Sequence, residues 1–234
     1  MDQKKVHFLD NSIARIDPET GHISYLKSCA DILRDNGLEH LILRSGDPQD
    51  PLHLNDVEPA LFGGTFFEEG DLFLSFRNLQ AVLHFRPSTG EVVRVIDGPL
   101  AAQHDVDILD DRTLAIFNNA TQENTGKYTS GAHKYPVSRD QMQLKHWYSE
   151  VVAFNLADGS FSEVHNDAMR EGEIMTYSEG LQEFLPSGDM FVEEQNSGIL
   201  WVLGDEGILY KDVMPSHHEG HHHLPNWTRI IPTP

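Results

Sequence analysis

Short apolar stretches separated by turn-forming residues recur along the chain. Four segments share one form: SIARIDPETGHISYL (12–26), AVLHFRPSTGEVVRVI (81–96), VVAFNLADGSFSEV (151–164) and GILWVLGDEGILYKDV (198–213). Each reads as a short strand, a turn of Asp, Ser, Thr and Gly, and a second strand. Gly21, Gly90, Gly159 and Gly207 fall where a tight hairpin needs positive φ. Ile16, Phe85 and Phe154 recur at intervals of 69 residues. A second hairpin form alternates with the first: PALFGGTFFEEGDLFLSFR (59–77), DVDILDDRTLAIFNN (105–119) and LQEFLPSGDMFVEEQ (181–195). Its apolar residues alternate with polar ones at a period near two.

One hairpin of each form makes a four-stranded unit. This predicts an all-β fold, a β-propeller of four-stranded blades. A β-sandwich competes for any chain of evenly spaced strands, but alternation of two hairpin types favours the propeller. About three full units and one outer hairpin are visible. The ring is therefore expected to be incomplete, or to close with a composite blade built from both ends. The expected organisation is a single domain over 1–234, with a polar inserted loop at 120–148 and a His-rich segment at 215–234. Helical pattern is confined to SCADILRDNGLEHLIL (28–43), which predicts one short helix ending near Asn36-Gly37.

Charge narrows the partners. The chain has 234 residues, with 17 Lys and Arg against 37 Asp and Glu, for a net charge of −20. So acidic a protein is a poor general binder of nucleic acid or anionic membrane. An anionic substrate must meet local positive charge. Cys29 is the single cysteine, so no intrachain disulfide forms. No apolar run is long enough to span a membrane. The start, MDQKKVHFLDNSIARID, shows no signal-peptide core, so as it stands the chain reads as cytoplasmic.

The candidate chemistry lies where inner strands begin. Aligning LHLNDVEP (52–59), QHDVDIL (103–109) and GLQEFLP (180–186) puts His53 and His104 at one position, with Gly180 or Leu181 in the third unit. Asn55 falls on the same strand face as His53. Arg77 ends the strand that pairs with this one. Two imidazoles, an amide and a guanidinium form an anion-handling set. Arg matches an oxyanion through its planar fork, and neutral histidine is a nucleophile or base near pH 7. Each residue alone reads as an ordinary polar strand-end group; the repeat alignment sets them apart.

At these residues the sequence resembles the arylsulfotransferase family, β-propeller enzymes that move sulfuryl groups between phenols without a nucleotide sulfate donor. The resemblance runs from about Leu52 to Leu203. The family's His-x-Asn motif falls on His53 and Asn55, its Ser-x-Arg strand end on Ser75 and Arg77, and its Gln-His pair on Gln103 and His104. A further family histidine finds no counterpart, because His7, His22 and His40 stand in no matching motif. The resemblance implies that His104 is the nucleophile and carries a transient sulfohistidine. His53 and Arg77 join it as catalytic residues and Asn55 binds substrate. The implied partners are a small aryl sulfate and a phenol, with no cofactor, and the implied location is outside the cytoplasm. Asp105, next to His104, points to the opposite strand face and is not expected to orient it. The competing reading is a non-catalytic propeller that binds an anionic or aromatic ligand or a protein partner; a homo-oligomer is a separate expectation.

Two other features belong to the same inventory. The tail PSHHEGHHHLPNWTRIIPTP (215–234) offers His217, His218 and His221 as weak metal candidates, without a matching zinc spacing. It reads better as a solvated loop leading into a closing strand, NWTRII. One of its histidines could also replace the absent family histidine. Glu193 and Glu194 end the third unit's second strand, as Arg77 ends the first's; they read as solvated, or as partners for Arg77 or His104.

Overall fold

Glycines in the outer hairpins do what their position demands. Gly21, Gly90 and Gly159 have φ of 69°, 76° and 74°. Each donates its N–H to the carbonyl four residues back, on Asp17, Arg86 and Asn155, at 2.8 Å. Nothing lies near the place of a Cβ at any of the three. The requirement is therefore conformational, not steric.

We describe a computed structural model of the protein. It covers residues 7–119 and 149–231; the expected loop at 120–148 lies outside the described residues. The chain divides into two compact units. Among the described residues the first holds 7–63 and 67–98, and the second 64–66, 99–119 and 149–231.

The first unit opens with a two-stranded sheet, β1 (Ser12–Ile16) and β2 (Ile23–Ser28). A short helix, α1 (Cys29–Asp35), follows. The Ser28 hydroxyl accepts the Asp31 N–H at 3.0 Å and caps its start. Gly37, at φ 68°, turns the chain away just beyond the capping Asn36, where the sequence predicts the end. Four strands then form an antiparallel meander: β3 (Leu54–Pro59), β4 (Leu72–Phe76), β5 (Ala81–Arg86) and β6 (Glu91–Asp97). The core joins helix to blade through Ile32, Leu33, Leu52, Leu74, Leu83 and Phe85.

A charged cluster sits inside this blade. Asp71 and His84 are each 1% exposed, and their side chains meet at 2.7 Å. Arg86 clamps the Asp71 carboxylate with Nε and Nη2, both at 2.9 Å. The Glu68 N–H adds a fourth donor at 2.9 Å. Burial raises the Asp71 pKa, but these donors outweigh it and hold the group down at about 2. Burial also pushes His84 down, so the neutral ring donates Nε2–H to Asp71. Phe73 stacks on that ring, with centroids 4.7 Å apart.

The second unit contains two more meanders of the same order. One is β7 (Val106–Ile108), β8 (Thr113–Asn118), β9 (Glu150–Asn155) and β10 (Phe161–Glu163). The other is β11 (Leu181–Phe184), β12 (Met190–Glu194), β13 (Ile199–Gly204) and β14 (Gly207–Val213). A helix that the sequence pattern does not announce, α2 (Asn166–Glu171), precedes the last blade. Its Ala168 and Met169 join Phe117, Val192, Trp201 and Leu203 in one core. In the three four-stranded sheets each hairpin of the first sequence form is the outer pair and each of the second form the inner pair, while the hairpin at 12–26 forms the two-stranded sheet β1–β2. The described residues are thus all-β, built from the four-stranded blades of a β-propeller.

Candidate active site

Blade registers decide which residues share a position. In the first blade Leu72 pairs with Phe85; in the second Leu114 pairs with Phe154; in the third Met190 pairs with Leu203. Counting on from these pairs, Arg77, Asn119 and Gln195 occupy one place, just past the end of each blade's second strand. All three are buried. The turns Arg77–Gln80 and Gln195–Gly198 match, and both close on a left-handed residue, Gln80 at φ 54° and Gly198 at 66°.

The inner strands correct the sequence alignment. Leu54 pairs with Phe76 and Asp56 with Ser75, so Asn55 is an extra residue in a β-bulge. In the next blade Phe117 accepts the His104 N–H at 2.8 Å and donates to the Asp105 carbonyl at 2.9 Å. Two consecutive residues again face one. His104 therefore corresponds to Asn55, and His53 to Ala102. The last pair shares an uncommon backbone, with φ of 50° and 55°. Gly180 stands at the His104 position in the third blade.

His53, Asn55 and Arg77 belong to the first unit. The His53 Nδ1 lies 2.6 Å from the Asp50 carboxylate. In the neutral ring this bond keeps the proton on Nδ1 and leaves Nε2 as the basic nitrogen. The His53 carbonyl accepts the Arg77 N–H at 3.0 Å. Arg77, 6% exposed, donates from Nη1 to Asn78 Oδ1 at 3.1 Å. Asn78 in turn donates to the Asp50 carbonyl at 2.6 Å. Histidine and guanidinium are thus fixed to one short frame, Asp50 to Asn78.

His104 belongs to the second unit and is half-buried, with Nδ1 covered. Gln103 before it is fully buried. Asp105 Oδ2 accepts the Gln182 N–H at 3.1 Å, and Asp107 Oδ2 accepts from Gln182 Nε2 at 3.1 Å. The two aspartates therefore tie the start of β7 to β11. Burial pushes the Asp107 carboxyl up to about 6, against the Gln182 hydrogen bond and the Arg229 charge. The indole of Trp227 stands beside His104, with ring centroids 6.1 Å apart.

Glu193 and Glu194 are not solvated; both are buried. Glu194 accepts from Trp201 Nε1 at 2.9 Å, Ser197 Oγ at 2.7 Å and the Met175 N–H at 3.3 Å. Glu193 accepts the Thr228 N–H at 2.7 Å. By register the counterpart of Arg77 is Gln195, one residue later.

The tail segment 226–231 forms no strand. Its N–H groups at Thr228 and Ile230 go to the carboxylates of Glu193 and Glu183 instead of a strand backbone. His222 Nε2 meets the Asn196 carbonyl at 3.1 Å, and His221 Nδ1 meets the Glu219 carbonyl at 3.0 Å. His218 and His221 lie edge to face, 6.1 Å apart. Among the described residues no group of three or more His, Cys, Asp or Glu is placed to hold a metal, the weak candidates His217, His218 and His221 included.

A cavity of about 410 Å³ in the second unit is lined by Glu163, His165, Asp167, Arg170, Glu171 and Asp205 among others. It includes none of the motif residues. Arg170, its one guanidinium, is paired with Glu163 and Asp167, so the lining opposes an anion.

The family profile described as arylsulfotransferase (ASST) matches residues 1–207. The chain belongs to the arylsulfotransferase family. The match extends the resemblance read from motifs at residues 52–203 to include β1, β2 and α1. No curated protein sequence matches the chain. Among solved structures it is similar to the WD40 β-propeller domain of Doa1, at 9% identity and a TM-score of 0.42. That similarity covers 70% of this chain and 41% of the other, so this arylsulfotransferase-family chain spans less than half of that chain's length. Among the described residues no helix is long and apolar enough to cross a membrane. Sequence reasoning missed Asn119, Gln195 and Trp227. The first two follow from turn length once the register is known. Trp227 carries no periodic signal at all.

Proposed function

We propose that the protein transfers a sulfuryl group from an aryl sulfate ester to a phenol through a sulfohistidine on His104. The observation that carries this reading is the family match over residues 1–207. With Nδ1 covered, Nε2 of His104 is the attacking nitrogen. Its lone pair forms the N–S bond as the S–O bond to the aryl ring breaks and the phenolate leaves. An acceptor phenol gives up its proton and attacks the same sulfur. The N–S bond breaks, and the imidazole returns neutral. No electrons are exchanged and no nucleotide is consumed.

Roles for the first unit are those the family resemblance implies. Arg77 neutralises the sulfuryl oxygens, which matters in a chain of net charge −20. Asn55 donates to one of those oxygens. His53, held by Asp50 at 2.6 Å, moves the phenolic proton with Nε2. A phenol has a pKa of about 10, so the basic Nε2 of His53 assists the second half-reaction by taking the acceptor's proton as its oxygen attacks sulfur; that proton then goes to the phenolate released in the first half. Mixing the protein with 4-nitrophenyl sulfate and phenol should release 4-nitrophenolate with ping-pong kinetics. His104→Ala should abolish release, and full activity in that variant would overturn the assignment. Saturable binding without turnover would instead support a binding module.

A further inference from the structure

The segment after β14 brings Trp227 to within 6.1 Å of His104, centroid to centroid, with the ring planes at 42°. The indole does not serve core packing, since the residue is 42% exposed. Its φ of 58° is disfavoured for a bulky side chain. Such a backbone persists only when neighbours impose it. Here they are the Thr228 N–H on Glu193 at 2.7 Å and the Ile230 N–H on Glu183 at 3.3 Å. Farther back, His222 is bonded to the Asn196 carbonyl, and His223 donates its N–H to Met214 at 2.9 Å. The Arg229 guanidinium lies 5.5 Å from the indole centroid. The segment lies beyond residue 207, where the family match ends.

We propose that Trp227 is a specificity-determining residue of this chain: its indole forms an aromatic wall beside His104 against which the ring of an aryl sulfate or phenol stacks. The assignment rests on the sulfuryl-transfer reading. Aromatic rings pack offset or edge-on with centroids about 4.5–7 Å apart, so a ring held at His104 lies within reach of the indole. A saturated alkyl sulfate offers the same sulfuryl group without a π face. The wall therefore separates aryl from alkyl esters, which charge on the sulfuryl oxygens cannot do.

The test compares wild type, Trp227→Ala and Trp227→Phe with 4-nitrophenyl sulfate and with an alkyl sulfate. Trp227→Ala is expected to raise KM for the aryl ester about five- to tenfold, with kcat within about twofold. Trp227→Phe should recover most of the loss, and alkyl sulfate turnover should stay unchanged. An unchanged KM for the aryl ester in Trp227→Ala overturns the wall and leaves the transfer reading standing. If wild type turns over no ester, phenol binding decides, read by tryptophan fluorescence. Saturable quenching present in wild type and lost in Trp227→Phe supports the aromatic wall while the transfer reading falls. No quenching in wild type overturns both.

Discussion

Removing the Asp71 carboxylate should loosen the first blade. In Asp71→Ala, the buried His84 loses its hydrogen-bond acceptor and Arg86 loses a bidentate partner at 2.9 Å. Arg86 keeps one carboxylate, Glu68 at 2.9 Å, but that side chain is exposed and worth little. Breaking a buried pair by deleting one partner costs about 3–5 kcal/mol. Native-state hydrogen exchange at the amides of β4 and β5 reads this locally, and they should exchange roughly two to three orders of magnitude faster. The acid limb of stability should change too. A carboxyl held at about 2 in the folded state, against 3.8, stabilises above pH 4 and loses that contribution as pH falls from about 4 to about 2. The shift is worth about 2 kcal/mol. His84, held below 6.5 by burial, adds a loss that begins as pH falls below about 6.5. In Asp71→Asn the limb between pH 4 and 2 should flatten. A penalty below about 1 kcal/mol in Asp71→Ala would refute the reasoning, because it would mean that the cluster carries no net load.

Three further outcomes follow. Gly198→Ala should release the tail, because a Cβ there would collide with the His223 carbonyl and the His222 ring; limited proteolysis within 215–231 should become faster. Asp107→Asn should stabilise the protein near pH 7 by about 3 kcal/mol, checked by urea unfolding at several pH values. The sign is opposite to Asp71: a carboxyl raised to about 6 favours folding below pH 4, and that stability is lost as pH rises towards 6. Glu194→Ala should cost about 2–3 kcal/mol, since it strands the Trp201 N–H and Ser197 hydroxyl in the core; a thermal scan should show Tm lowered by roughly 5–10 °C.

Much of this fold is legible in the sequence because blade hairpins need local signals. The positive-φ glycines at 21, 90, 159 and 207 mark the outer turns, and the period-2 alternation marks the strands. Serine at 28 and glycine at 37 bracket the one anticipated helix. The candidate residues His53, Asn55, Arg77 and His104 were also legible, through short motifs. Their register was not. A bulge adds one residue to a strand without changing its polarity pattern, so the extra residue at Asn55 is invisible before pairing is known. Helix α2 is only six residues, too short for a period. Glu193 and Glu194 looked solvated because charge usually is; their burial depends on donors from Thr228, Trp201 and Ser197 that are remote or around a turn. The same remoteness hides Trp227, which is 123 positions from His104 in sequence and beside it in space.

The most direct measurement is to expose the protein to an aryl sulfate without acceptor, quench at alkaline pH and map the peptides by mass spectrometry. The account predicts one acid-labile sulfuryl adduct, located on His104 and discharged when phenol is added. An adduct on another residue, or phenol sulfation that proceeds with His104 never modified, would contradict it.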